Sequence, residues 1–490
     1  MIALNQPLSV LKPWVELLPQ GLFDLEIKNI CFDSREVSLG DAFFALPSVA
    51  GNEVQNITQA LALGASVVFA DEGVCKQLTV SDVPCVALAD VMNTAGNVIA
   101  HVLYNGRADL QIVGITGTNG KSSISFYLAQ LLTALSSPCA VMGTVGYGQW
   151  DQLKPSGMTT LPLEKLHHVL HELSASFQAV AMEVSSHGLH QNRLAGVNFD
   201  GAVFSNLSRD HLDYHGTMDA YGQAKALLFK RPELKFAVIN GDDSYASALI
   251  EQCSVQPMTY AQSASADLCF KIVDMHDQGM TVEFTWRDQV EQVVLPLFGV
   301  FNAENVAAAI LCCLNMKFEF KHIMSACSAL CAVPGRMQQV SVMNKQPLVL
   351  VDYAHTPDAL EQILTSIKQH AQGSIHLVVG CGGDRDTGKR KLMGEIAVTH
   401  ANKTIITSDN PRSEDPLSIC KQMVDGLNGD FIIKVDRSAA IHDAISQASD
   451  NDIVIIAGKG HEDYQEINGQ RHFFSDVEEA KKVLQLEKQS

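Results

Sequence analysis

Long apolar runs are missing from this chain of 490 residues. No stretch approaches the ~18 residues needed to cross a bilayer, so no membrane span is expected. The segment Met1 to Val15 lacks the basic start, apolar stretch and small-residue cleavage site of a signal peptide, which points to a cytoplasmic protein. Cys-x-x-Cys pairs are absent, and the 12 cysteines are scattered. Cys312-Cys313 and Cys327 with Cys331 group only within apolar, helix-like sequence, so buried free thiols are expected rather than a zinc site. Positive charge is scarce: 35 Lys and Arg stand against 54 Asp and Glu, a formal net charge of −19. A general nucleic-acid binder needs clustered cations, so that class is excluded. Low-complexity tracts and repeats of fixed period are also lacking, and nothing marks an obligate oligomer interface, so a monomer is expected.

What is present is an ordinary globular balance, 47% hydrophobic and 18% charged. Domains of ~100–200 residues imply about three in a chain of this length. Turn chemistry at Asn105-Gly106-Arg107 and Pro334-Gly335-Arg336 suggests the boundaries 1–105, 106–335 and 336–490. The first segment reads as a small α/β unit, with strands at Ala42–Leu46 and Ser66–Ala70 and a helix at Val54–Leu63. In the second, Ile112–Thr116, Ala179–Met182, Ala202–Asn206 and Phe236–Asn240 are short continuous apolar runs, as strands buried on both faces of a parallel sheet require. Leu348–Val351, Ile375–Val379, Thr404–Thr407 and Asp452–Ala457 repeat this in the third. The expected class is α/β: a small N-terminal domain, a P-loop-type parallel-sheet domain and a Rossmann-like domain. Nearly every strand runs into a polar or glycine-bearing loop, and open parallel sheets bind ligands at those carboxyl ends.

The clearest motif is Gly114-Ile-Thr-Gly117-Thr118-Asn119-Gly120-Lys121-Ser122-Ser123, which follows a strand and precedes the helical pattern Ile124–Ala134. Glycines let backbone N–H groups curl toward phosphate oxygens, and the helix N-terminus adds partial positive charge. Lys121 would face the β/γ-phosphates and the Ser122 hydroxyl could ligate Mg²⁺. The spacing departs from the strict P-loop, since Ile115 stands where that pattern has its first glycine. A plain strand–helix turn is the alternative. The strand–loop–Gly-Lys-Ser–helix context favours ATP.

Thr116-Gly-Thr-Asn-Gly-Lys121 resembles the nucleotide loop of the Mur ligase family. In the family's order follow Glu183-Val-Ser-Ser-His187, Asn206-Leu-Ser-Arg-Asp-His211-Leu-Asp, Asp352-Tyr-Ala-His355-Thr-Pro and Asp409-Asn-Pro-Arg412, so the resemblance covers essentially the whole chain. It implies a cell-wall ligase that uses ATP to phosphorylate a carboxylate, after which an amine attacks the acyl-phosphate. The residues of the phosphate loop would bind ATP from Gly117 to Ser123. Asn302, Asn305, Arg336, Asp352 and His355 would lie near the adenosine or phosphates, and closure of the third domain would exclude water. The resemblance further implies Mg²⁺ ligands in Ser122, Glu183, His211 and a carboxylated Lys225, with Lys121, Lys225 and His211 catalytic. Read by itself, Lys225 in Tyr221-Gly-Gln-Ala-Lys225 is a solvated helix lysine, and His211 a loop histidine.

By the same resemblance, Phe32, Ser34, Thr159, Thr160, Ser185, Gln191 and Arg193 would hold a UDP-linked muramoyl dipeptide. Further uridine contacts would fall in the loop Val49–Gly51, although Pro47-Ser-Val-Ala-Gly-Asn52 departs from the usual polar, histidine-containing version. Arg385, Asp409, Asn410, Pro411, Arg412, Gly458 and Glu462 would take the incoming amino acid. Diaminopimelate has a second zwitterionic end, which needs a forked cation and an anion, roles suited to Arg412 and Glu462. Lysine-adding relatives lack an arginine at this place. Rival readings are a lysine-adding or folylpolyglutamate-forming relative, and a P-loop regulator without ligase activity.

Overall fold

The computed structural model describes residues 1–15, 18–48, 51–78, 83–104, 110–263, 265–340 and 346–486. The expected boundary at 105/106 and residues 49 and 50 of the Val49–Gly51 loop lie outside them. Three main sheet systems appear in chain order. Compactness gathers them into two units: residues 1–121, 136–239 and 243–257, and residues 122–135, 240–242 and 258–490. No helix among the described residues is long and apolar enough to cross a membrane.

In the first unit, Ile2–Pro7, Glu26–Cys31, Ala42–Phe44, Val67–Asp71 and Cys85–Leu88 pair in that order. Only the first pairing is antiparallel. In the unit's larger sheet Phe236–Asn240, Gly201–Phe204, Gln111–Thr116, Ala179–Glu183 and Cys139–Met142 are neighbours in that order, all parallel, and the short strands Tyr147–Gln149 and Gln152–Lys154 continue it antiparallel beyond Cys139–Met142. The side chains of the parallel strands are buried throughout, apart from Gln111, which explains the unbroken apolar runs. From Gln111–Thr116 the chain crosses to Cys139–Met142 on one side and later returns to Gly201–Phe204 on the other. That reversal makes a switch point, where the crevice opens at the carboxyl ends.

The second unit contains an antiparallel meander, Leu268–His276, Gly279–Trp286 and Gln289–Leu295. The sequence reading did not assign it, because alternating strands with one exposed face interrupt every apolar run with polar residues. Phe301-Asn-Ala-Glu-Asn305 lies inside the helix Val300–Asn315. The last sheet has the order Leu348–Asp352, Ile453–Ala457, Ile375–Val379, Lys403–Ile406, Phe431–Ile433, all parallel, with Gln338–Gln339 antiparallel at one edge. The last of these strands in sequence is inserted between the first two, so loops far apart in the chain become neighbours. Helix starts follow their caps: Thr356 accepts from Ala359 N ahead of Pro357, and Asp415 accepts from Ser418 N ahead of Pro416. All cysteines are free. Correcting the expectation of burial, Cys331 is exposed and Cys75, Cys85, Cys253 and Cys269 are half-buried.

Candidate active site

The phosphate loop leaves the central strand at the switch point. Gly117 has φ +153°, and a Cβ there would meet Ser205 Oγ at 1.9 Å, so the loop sits tightly on the segment after Gly201–Phe204. Asn206 fixes it twice: its carbonyl accepts from Thr118 N at 2.9 Å and its side-chain oxygen from Asn119 N at 2.9 Å. Those two amides are therefore committed to the protein. Lys121 Nζ folds back on Gly117 O at 2.9 Å and Thr118 O at 2.8 Å. Ser122 and Ser123 lie buried in the first turn of the helix Lys121–Ala134.

Glu183 ends its strand almost fully buried. Thr144 clamps it, N to Oε1 and Oγ1 to Oε2, each at 3.0 Å. A Cβ on Gly143 would lie 2.1 Å from Glu183 Oε1, so only glycine leaves room for the carboxylate. Thr159 Oγ1 lies 2.9 Å from Thr144 Oγ1. Thr160 Oγ1 accepts from Ser185 N and Ser185 Oγ, both 3.0 Å, and donates to Glu183 O at 3.3 Å. Arg193 donates from Nη1 to Thr160 O at 3.0 Å and from Nε to Gln191 Oε1 at 2.9 Å. Thr159, Thr160, Ser185, Gln191 and Arg193 thus form one hydrogen-bonded group around Glu183. Phe32 and Ser34 follow the strand Glu26–Cys31 of the first sheet, Ser34 opening the short turn Ser34–Glu36; Phe32 packs 5.6 Å from Phe44 and Ser34 donates to Gln59 at 2.7 Å.

Lys225 corrects the solvated reading. It is 1% exposed, with Nζ 4.3 Å from the Tyr221 ring centroid, and makes no ion pair or hydrogen bond among the described residues. Burial, followed by the positive charge of Lys121, holds its pKa well below the usual lysine value. His211 has φ +53° and stays about half exposed, 3.5 Å from Asp210. It meets His187 edge-on at 4.9 Å between ring centroids. Tyr214 lies 4.2 Å from His187 and its hydroxyl accepts from Gln191 Nε2 at 3.1 Å.

On the second unit, Asn302 Oδ1 accepts from Tyr127 OH at 2.9 Å and Nδ2 donates to Phe298 O at 2.7 Å. Asn305 lies 3.4 Å from Asn302, and both amides are buried. The bond from Tyr127 to Asn302 ties the helix Val300–Asn315 to the helix Lys121–Ala134. Arg336 stacks 4.6 Å above the Tyr353 ring. Asp352 accepts from Met337 N at 2.7 Å and Ala354 N at 2.8 Å. Burial raises its pKa, opposed by Arg336 and these bonds. His355 is exposed at the strand end, its backbone oxygen held by Lys389 at 2.8 Å.

The acceptor loops converge because their strands are neighbours. Arg412, at φ +51°, donates from Nη1 to Gly383 O at 2.7 Å, and its Nε lies 3.4 Å from Glu466. Its Nη2 has no partner among the described residues. Gly458, at φ +118°, would place a Cβ 3.0 Å from Asp409 Oδ2. Asn410 Nδ2 donates to Glu462 Oε2 at 2.9 Å, and its Oδ1 accepts from Glu466 N at 2.9 Å. Pro411 is buried beside them, and Arg385 is exposed on its loop.

Sequence reasoning missed Thr144, Asn206 as a clamp, Tyr214, Lys459 and Glu466. Gly143-Thr144 after the strand Cys139–Met142 was the available signal for the first. The others act through contacts between distant segments, which no local pattern marks.

The family model described as Mur ligase middle domain matches residues 115–313, and that described as Mur ligase, glutamate ligase domain matches residues 335–460. The UDP-N-acetylmuramoyl-L-alanyl-D-glutamate–2,6-diaminopimelate ligase of Pseudomonas putida is 39% identical over 485 residues, 96% of this chain and 98% of that one. The same-named enzyme of Coxiella burnetii is 40% identical over 471 residues, 94% of this chain and 96% of that one. A solved structure of a ligase with this name superposes with a TM-score of 0.76 at 37% identity, covering 98% of this chain and 99% of the other. Such identity over nearly the full length leaves one conclusion: the chain belongs to the Mur ligase family.

Proposed function

We infer that the protein is an ATP-dependent ligase that adds meso-2,6-diaminopimelate to UDP-N-acetylmuramoyl-L-alanyl-D-glutamate in peptidoglycan precursor synthesis. The observation that carries this is near-full-length similarity to ligases of that name, joined to Arg412 at the acceptor strand end. The substrate carboxylate attacks the γ-phosphorus of ATP and ADP leaves. The amine then attacks the acyl carbon, and phosphate leaves the tetrahedral intermediate.

In this reading, residues Gly117 to Ser123 cradle the phosphates, with Lys121 exchanging its loop carbonyls for phosphate oxygens. Asn302 and Asn305 support the nucleotide helix from behind, while Arg336, Asp352 and His355 supply further nucleotide contacts. Thr159, Thr160, Ser185, Gln191 and Arg193 hold the muramoyl dipeptide, and Phe32 and Ser34 the uridine. Arg412 pairs with the far carboxylate of diaminopimelate and Glu462 with its far ammonium, flanked by Arg385, Asp409, Asn410, Pro411 and Gly458. The division at 105/106 and 335/336 into UDP-, ATP- and amino-acid-binding parts belongs to the same proposal, as do a cytoplasmic location and a monomeric state.

The donors Ser122, Glu183 and His211 suit Mg²⁺ in chemistry, being chiefly hard oxygen groups. Among the described residues no cluster of three His, Cys, Asp or Glu forms a cage. Mg²⁺ commonly binds through one or two carboxylates plus substrate phosphates, so this set fits it. When bound there it would neutralise phosphate charge. The shielded Lys225 suits a carbamate: an uncharged amine adds to carbon dioxide, forming an N–C bond and releasing a proton. ADP release that requires both the UDP-muramoyl dipeptide and diaminopimelate is the test; release with ATP alone, or with lysine equally well, rejects the assignment.

A further inference from the structure

Lys459 lies between Gly458 and Gly460 and is completely shielded from solvent. Its Nζ faces Asn410 Oδ1 at 3.2 Å, Glu462 Oε2 at 3.3 Å and Asp409 Oδ1 at 3.5 Å. The oxygens come from loops that follow two different strands, Lys403–Ile406 and Ile453–Ala457. A buried ammonium is costly unless oxygens surround it, and here the ring supplies them. Glu462 Oε2 accepts from both Lys459 and Asn410 Nδ2. Glu462 Oε1 has no partner among the described residues, and the side chain is 20% exposed.

The strand ends themselves do not depend on Lys459. Arg437, fully buried against Asp476, donates to Ala457 O at 3.0 Å and lies 3.4 Å from Ser408 O, which joins the two strands beneath the loops. Lys459 therefore adds orientation above a floor already tied.

We propose that Lys459 is a positioning residue for the amino-acid acceptor, holding Glu462 with Oε2 turned inward so that Oε1 meets an acceptor ammonium. The proposal rests on the acceptor-site reading above. Without the ammonium, the carboxylates of Asp409 and Glu462 would share one poorly hydrated place, and Glu462 would swing outward.

The experiment compares full-length wild type, Lys459→Met, Glu462→Gln and the double variant by steady-state kinetics and melting temperature. Lys459→Met should raise KM for diaminopimelate roughly 10- to 100-fold, the range for losing a charge-assisted hydrogen bond, with KM for ATP unchanged and kcat nearly kept. The double variant should be no worse than Glu462→Gln alone, because the lysine acts through that carboxylate. A KM within about twofold of wild type in folded Lys459→Met, or fully additive effects in the double variant, overturns the proposal. Should Lys459→Met fail to fold, Lys459→Gln keeps one donor and reads the same quantity. If Glu462→Gln leaves KM for diaminopimelate unchanged, the acceptor-site reading fails and this proposal with it. If Glu462→Gln raises KM and the lysine variants do not, Lys459 alone is misassigned.

Discussion

The ammonium of Lys225 lies 4.3 Å from the ring centroid of Tyr221, one turn earlier on the same helix, Met218–Ala226. Burial lowers its pKa most, and the largest charge influence on it, the like-charged Lys121, acts in the same direction. A lysine placed this way is held toward the neutral form that reacts with carbon dioxide. Lys225→Ala should lose most activity, and stripping carbon dioxide from the buffer should weaken the wild type reversibly. Ligation rates with and without added bicarbonate check this; a fully active Lys225→Ala enzyme removes the residue from the mechanism.

Lys121→Ala should abolish turnover and leave the melting temperature near that of wild type, since its Nζ bonds to the loop carbonyls of Gly117 and Thr118 rather than lying in an apolar core. Lost stabilisation of phosphate charge costs on the order of several kcal/mol in the transition state. Near-normal ligation under saturating ATP contradicts the phosphate-loop assignment.

Gly143→Ala should inactivate without unfolding. The new methyl would lie 2.1 Å from Glu183 Oε1, forcing the carboxylate off its Thr144 clamp. A displacement of about 1 Å in such a site costs roughly 10²-fold in rate. The check is kcat alongside circular dichroism: unchanged kcat means that Glu183 tolerates movement.

Arg412→Ala and Arg412→Lys should both raise KM for diaminopimelate steeply, with ATP binding little changed. Lysine cannot reproduce the fork. Wild-type preference for diaminopimelate over lysine should fall at the lower end of ~10⁴–10⁵. Gly383 and Glu466 already satisfy part of the guanidinium, which softens the penalty of an absent carboxylate. Competition between the two amino acids measures it; equal use of lysine refutes the role.

His167 predicts a pH effect in the first unit. It is fully buried, accepts from Tyr104 OH at Nδ1 and donates from Nε2 to Ala195 O at 2.8 Å. Burial first lowers its pKa from 6.5 to about 4, against the opposing bond to Ala195. The folded state therefore resists a proton that the unfolded chain accepts, so its stability is full above pH 6.5 and is lost progressively as pH falls toward 4. The loss is about 3 kcal/mol from this one group. Denaturant titrations between those pH values should show it, and His167→Phe should flatten that part of the profile. An identical slope in the variant refutes it.

The positions of the buried strands were legible because strands covered on both faces need unbroken β-branched and apolar runs, whatever the rest of the chain does. The phosphate loop was legible for a similar reason: glycines, lysine and helix start are adjacent in sequence and act locally. The sequence by itself also determined the acceptor motif Asp409–Arg412 as a chemical set. Only the tertiary structure decided that Lys225 is shielded, since its helix carries no strong apolar stripe and packs against the helices Ser186–His190 and Leu212–His215 from elsewhere in the chain. The clamp of Thr144 on Glu183, the hold of Asn206 on the phosphate loop and the ring of oxygens around Lys459 were equally hidden. Each joins residues separated by many positions, brought together by a sheet whose strand order departs from chain order. Local patterns record which residues carry chemistry, whereas the desolvation and aim of a charged group depend on neighbours that only the folded chain supplies.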